Sequence, residues 1–211
     1  MHPLNNADGM LFDDTYRTIT GPSEGLFKEK GSKFLAYAFP IQRETDVKMY
    51  LEAVHKEHPK ARHHCHAYRL GLDRNNYRVN DDGEPSGTAG RPILNTLYSY
   101  DLTNILVIVV RYFGGTLLGV PGLINAYKSA TIDALTKATV VAKTVNEVYR
   151  VRFAYEQMNE VMKVVKDQQL TVLSQSFDNN CSLEIELRRT MVNGVIGRLE
   201  KLEHVKVEWL G

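Results

Sequence analysis

The sequence predicts a mixed α+β protein of two domains, and three observations carry that prediction. The run "ILVIVV" at 105–110 is short, β-branched and apolar throughout, as in a strand buried on both faces. A glycine-rich loop stands on each side of it, "NDDGEPSGTAGRPIL" at 80–94 and "RYFGGTLLGVPG" at 111–122. Beyond residue 144 the pattern restarts in the order β-α-β-β-α-β, the split arrangement of a ferredoxin-like unit.

The elements follow in chain order. Residues 24–39, "EGLFKEKGSKFLAYAF", hold two strand-like runs around a Gly31-Ser32 turn signal, which predicts a hairpin. Thr45 is placed to cap a helix with apolar residues at Val47, Tyr50, Leu51 and Val54, and Pro59 closes it. "HHCHAYRL" at 63–70 alternates as a strand does and runs into a polar, glycine-containing connection. After the buried strand comes a helix with Leu123, Tyr127, Ala130, Ala134 and Ala138 on one face. Residues 141–146, "VAKTVN", show no helical stripe, and the domain boundary is placed near 144.

In the second domain "EVYRVRFAY" reads as a strand, and Met158, Val161, Met162 and Val165 form a helix stripe. "LTVLSQSF" and "CSLEIELR" are strands around an Asn179-Asn180 turn. Thr190 is placed to cap a helix carrying Val192, Val195, Leu199 and Leu202, and "VKVEWL" is a last strand. The expected division is a flexible tail over 1–15, a first domain over 16–144 and a second over 145–211.

Composition narrows the function. The chain has 211 residues, 43% hydrophobic and 24% charged, with a formal net charge of +1, an ordinary globular balance. A nucleic-acid role would have to rest on a local patch. Residues 60–78 supply one, with Lys60, Arg62, Arg69, Arg74 and Arg78 against the single acid Asp73. Cys65 and Cys181 stand far apart, which fits a reducing cytoplasm and suggests neither a disulfide framework nor a cysteine zinc site. "MHPLNNADGM" lacks a basic region followed by an apolar run, so no signal peptide is expected. The longest apolar run is too short to span a bilayer.

Three stretches offer chemistry. In the acidic loop, Asp81, Asp82 and Glu84 are the residue types that hold a hard cation, while Thr88, its glycine neighbours and Arg91 suit a phosphate. The same composition, with Ser86 and two prolines, also describes a tight structural turn. On the histidine strand His64 and His66 share a face with Tyr68, fitting a metal pair or a base with its positioning group. His63 and Cys65 point the other way. At the exit of the buried strand Arg111 and Tyr112 suit a phosphate and a base, and Gly114 and Gly115 admit close backbone approach. A plain strand-to-helix turn needs the same glycines. No metal or cofactor is expected from these spacings.

"GSKFLAY", "HHCHAYRL", "DDGEPSGTAGRPIL" and "NILVIVVRYFGGTLLG" together resemble the YigZ/Impact family along essentially the whole chain. The resemblance implies a first domain like the second domain of ribosomal protein five of the small subunit and a small ferredoxin-like second domain. It also implies a translation-linked regulatory or binding role, with RNA, the ribosome or a protein as partner. Eukaryotic members act in translational control through an additional N-terminal domain not visible here, so their partner mechanism is not expected to transfer. In "GVPGLINAY", Pro121 and Asn125 depart from the glycine and arginine common in the family. The expected surface comprises His64, His66, Arg69, the 81–91 loop, Arg111 and Tyr112. The rival reading is an enzyme acting on a phosphorylated or nucleotide-like ligand, with the loop carboxylates as base or cation holder. A third is a protein-interaction module whose loop is structural.

Overall fold

The computed structural model describes residues 14–72, 76–177 and 181–211. The expected tail up to residue 13, Asp73 and Arg74 of the basic stretch, and the Asn179-Asn180 turn lie outside them. The described chain forms two compact units, one over Tyr16–Lys143 and one over Thr144–Gly211 together with Asp14 and Thr15. Among the described residues no helix is long and apolar enough to cross a membrane.

The strands of the first unit are β1 (Thr15–Ile19), β2 (Ser23–Glu29), β3 (Ser32–Pro40), β4 (His63–Arg69), β5 (Tyr77–Asn80), β6 (Ile105–Tyr112) and β7 (Val140–Thr144). Its helices are α1 (Glu44–Glu57), α2 (Gly90–Ser99) and α3 (Gly119–Lys137). Five strands form an antiparallel sheet in the order β2-β3-β6-β4-β5, and β1 pairs with β7 separately. The "ILVIVV" strand sits at the centre, fully buried, because both faces are covered. Ile105, Val107 and Val109 pack with Ile93, Leu97, Tyr127 and Ala130 of α2 and α3 on one side. Leu106, Ile108 and Val110 pack with Val47 and Val54 of α1 on the other.

The hairpin turns through Lys30 and Gly31, both left-handed at φ 44° and 80°. Two left-handed residues make a type I′ turn, whose twist matches the flanking strands. In register, Lys28 stands opposite Lys33 and Leu26 opposite Leu35.

Four elements differ from expectation. The α1 helix begins at Glu44, and Asp46 rather than Thr45 stabilises its start, accepting the N–H groups of Gln42 and Arg43 at 2.8 and 3.1 Å. β5 occupies part of the stretch read as a connection, and "VAKTVN" contains most of β7. The last residues of the acidic loop are helical: α2 starts at Gly90, and Pro92 lies in its first turn, where the missing N–H costs nothing.

The second unit contains β8 (Asn146–Phe153), α4 (Met158–Asp167), β9 (Thr171–Phe177), β10 (Cys181–Arg188), α5 (Val192–Leu199) and β11 (Lys206–Trp209). Its antiparallel sheet has the order β11-β8-β10-β9, that of a ferredoxin-like unit. The alternation of "CSLEIELR" turns Cys181, Leu183, Ile185 and Leu187 onto Val161, Val165, Val195 and Leu199 of the two helices. Thr190 does not cap α5; its hydroxyl donates to Asp14 Oδ2 at 2.7 Å. Both domains are therefore mixed helix and sheet, as the element order predicts.

Candidate functional site

The acidic loop is folded onto itself. Asp81 accepts the N–H of Gly87 at 2.8 Å on one oxygen, and those of Ala89 and Gly90 at 3.0 and 2.8 Å on the other. That carboxylate therefore holds the start of α2, where free N–H groups and the helix dipole favour negative charge. Asp82, left-handed at φ 40°, accepts the backbone N–H of His64 at 2.6 Å. Glu84 turns inward: its Oε1 accepts from Arg111 at 2.6 Å and from the Tyr127 hydroxyl at 2.8 Å. The Glu84 and Arg111 side chains are only 3% and 7% exposed. The Cys65 thiol continues this chain, 3.3 Å from the Tyr127 hydroxyl. Burial pushes the Cys65 thiol and the Tyr127 phenol well above their ordinary values, so both remain protonated donors.

The three carboxylates thus each have protein partners, and the loop acts as a clasp between β4, β6 and the two helices. Thr88 is buried with its hydroxyl on Pro85 O at 2.6 Å. Ser86 and Arg91 are exposed, and Arg91 lies 5.9 Å from the centre of the Tyr77 ring.

The histidine strand also serves packing. His64 is buried on the α1 side, its ring 3.8 Å from that of His55. Burial, with His55 adding, lowers its proton affinity, and its Nε2 has no partner among the described residues. His66 is half-buried and shifted the same way by desolvation. Arg69 is a correction to the expected surface: it is buried, donates to Leu102 O at 2.6 Å and lies over the Tyr98 ring. A charge enclosed in this way is not presented to a phosphate. Arg111 is corrected for the same reason, its guanidinium being committed to Glu84 and lying over the rings of Phe34 and Phe113. The clasp thus brings His64 to Asp82 and Arg111 to Glu84, whereas Arg69 is enclosed at Leu102 and Tyr98 and Tyr112 lines a separate cavity.

A different place is open. Past the end of α1 the sheet face over β2 and β3 is uncovered, leaving a cavity of about 530 Å³. Leu26 and Leu35 form its floor, and Lys28 and Lys33 project beside them. Both lysines are exposed, and neither has an ion-pair partner among the described residues. Tyr112, beside Lys33 in register, and Phe113 complete the lining, Phe113 being 55% exposed. His58 fixes Tyr112, its Nδ1 3.0 Å from the Tyr112 hydroxyl and its Nε2 2.6 Å from that of Tyr37. Burial, helped by Glu57 and Glu24, pushes the Tyr37 phenol up to about 12.

Glycine brings the hairpin turn and the β6 exit together. A Cβ on Gly114 would fall inside the backbone of Gly31 and Ser32, and Gly114 N–H donates to Ser32 Oγ at 3.1 Å. Gly115, left-handed at φ 88°, continues the exposed loop. Groups that suit phosphate, base and apolar surface thus line one cavity.

The Impact N-terminal domain family matches residues 30–135. An IMPACT family member of Haemophilus influenzae is 35% identical over 75% of this chain and 79% of its own length. The chain belongs to the Impact family. IMPACT family member YvyE of Bacillus subtilis is 28% identical over 85% of this chain and 82% of its own length. A solved structure described as a hypothetical protein superposes with a TM-score of 0.69 at 27% identity, covering 95% of this chain and 99% of that one. The Impact match contains the whole clasp and the Tyr112–Phe113 wall, and it begins one residue before Gly31. Lys28 lies outside it.

Sequence reasoning missed Lys28, Lys33 and His58. The signal for the lysines is present in "FKEKGSK": once a two-residue turn is placed at Lys30-Gly31, Lys28 and Lys33 must oppose each other on one face. His58 had no signal, because its place depends on where α1 ends against the sheet.

Proposed function

We propose that this Impact protein is a translation-linked binding protein that contacts RNA through the cavity at the hairpin and the β6 exit. The observation that carries the reading is a pair of lysines, without ion-pair partners among the described residues, that line one cavity with an exposed aromatic ring and two leucines. Lysines neutralise phosphates, and a ring such as Phe113 stacks on a base of any identity. The +1 chain needs only such a local patch; of the other cationic candidates Arg69 and Arg111 are committed inside the fold, while Lys60, Arg62 and Arg78 are exposed but do not line this cavity. The translation link is what membership of the Impact family implies.

The test is a salt titration of RNA binding, with ribosomal subunits as a second ligand in sedimentation. The parent protein should bind single-stranded RNA with affinity that falls steeply between about 50 and 200 mM salt. Lys28→Ala with Lys33→Ala should weaken binding and flatten the salt slope by roughly two. Equal binding by parent and double variant would reject this surface. The absence of binding to RNA or to either subunit would reject the function.

A further inference from the structure

We infer that the cavity is a specific subsite for one phosphorylated ribonucleoside, with the phosphate between Lys28 and Lys33 and the base against Phe113. This rests on the RNA reading for its biological setting and goes beyond it in the ligand named. Like charges placed directly opposite on neighbouring strands destabilise a sheet. Lys28 and Lys33 occupy such a pair with no carboxylate partner among the described residues. An anion between them removes the repulsion, and a phosphate monoester, with more than one negative charge near neutral pH, does so better than a diester.

The rest of the cavity has the dimensions and character of a small-ligand site. Its volume of about 530 Å³ falls in the range of pockets that take a compact ligand. Leu26 and Leu35 offer apolar surface and the exposed ring of Phe113 offers stacking surface in the same cavity as the two lysines. Tyr112 brings a hydroxyl that His58 orients at 3.0 Å, suited to a ribose or phosphate oxygen. Gly31, packed against the backbone of Gly114, borders the cavity at the hairpin turn. A phosphate monoester is carried by a free nucleotide or a strand terminus and not by the interior of a long strand.

The experiment is titration calorimetry of the full chain with adenosine and uridine monophosphates, the unphosphorylated nucleosides, inorganic phosphate and a short RNA bearing a terminal phosphate. A monophosphate should bind saturably, at least tenfold more tightly than its nucleoside and than inorganic phosphate. Lys28→Ala and Lys33→Ala should each weaken it about tenfold, and Phe113→Ala by a similar factor. All three side chains are exposed, so these variants keep the fold. Equal binding of nucleoside and monophosphate, no binding of either, or unchanged binding by the lysine variants overturns the subsite. Short RNA that binds while monophosphates neither bind nor compete overturns the subsite and leaves the RNA reading standing. Monophosphates that bind where RNA does not would keep the subsite and remove the RNA reading. Competition between the RNA terminus and a free monophosphate supports both.

Discussion

Replacing Glu84 by glutamine tests the clasp directly. The carboxylate is 3% exposed and holds Arg111 at 2.6 Å and the Tyr127 hydroxyl at 2.8 Å through the same oxygen. Glutamine keeps the shape and an accepting oxygen but removes the charge, leaving the 7% exposed guanidinium of Arg111 without its counter-ion. Removing one partner of a buried pair costs about 3–5 kcal/mol, because the remaining charge stays in a low-dielectric interior. The retained amide oxygen places Glu84→Gln at the lower end, about 3 kcal/mol, or roughly 10 °C in melting temperature for a unit of this size. The assay is urea unfolding followed by far-ultraviolet circular dichroism. The only tryptophan, Trp209, lies in the second unit, so its fluorescence is an internal control that should not move. A double variant, Glu84→Met with Arg111→Met, should cost at least 2 kcal/mol less than the sum of its single changes, since no charge is then stranded. A Glu84→Gln loss below about 1 kcal/mol, or additivity within about 0.5 kcal/mol, would refute the clasp.

Other perturbations separate structural from permissive positions. Asp81→Ala should cost about 2–3 kcal/mol and speed amide exchange at Gly87, Ala89 and Gly90, whose N–H groups it holds; unchanged exchange there would show that Asp81 does not anchor α2. Gly114→Ala should destabilise the first unit by 1–3 kcal/mol or more, because backbone occupies the space on the Gly31 side. Gly194→Ala, an exposed site inside α5 with open space around it, should instead stabilise the second unit by about 0.5–1 kcal/mol in thermal melts. His64 and His66 have proton affinities lowered by burial, so the unfolded chain takes up protons first as pH falls through the ordinary histidine value of 6.5. Their contribution is intact above that pH and lost below it. Unfolding midpoints measured from pH 7.5 to 5.5 should fall, and His64→Gln should flatten the decline.

Much of the fold was legible because local periodicity encodes it. "ILVIVV" announces a central strand, "SLEIEL" shows which side chains face a core, and Gly31 places the hairpin. The start of α2 was hidden because a glycine-rich loop and a helix beginning Gly-Arg-Pro read alike until Asp81 supplies the missing acceptor from nine residues earlier. The candidate site was less legible. Arg69 and Arg111 have the composition of phosphate ligands, yet their strand positions point them into Tyr98 and Glu84.

By itself, then, the sequence determined most of the element order, the main buried faces, the family and the two glycine motifs, since each is a matter of spacing along the chain. Only the tertiary structure decided which charges are enclosed and which are free. That depends on α1 covering β4, β6 and the far end of β3 while leaving the hairpin end of β2 and β3 open, and on two glycine turns meeting across a gap of more than 80 positions. A charged side chain buried against a partner and one exposed to solvent are the same letter, and the desolvation that separates their chemistry exists only once the surfaces close.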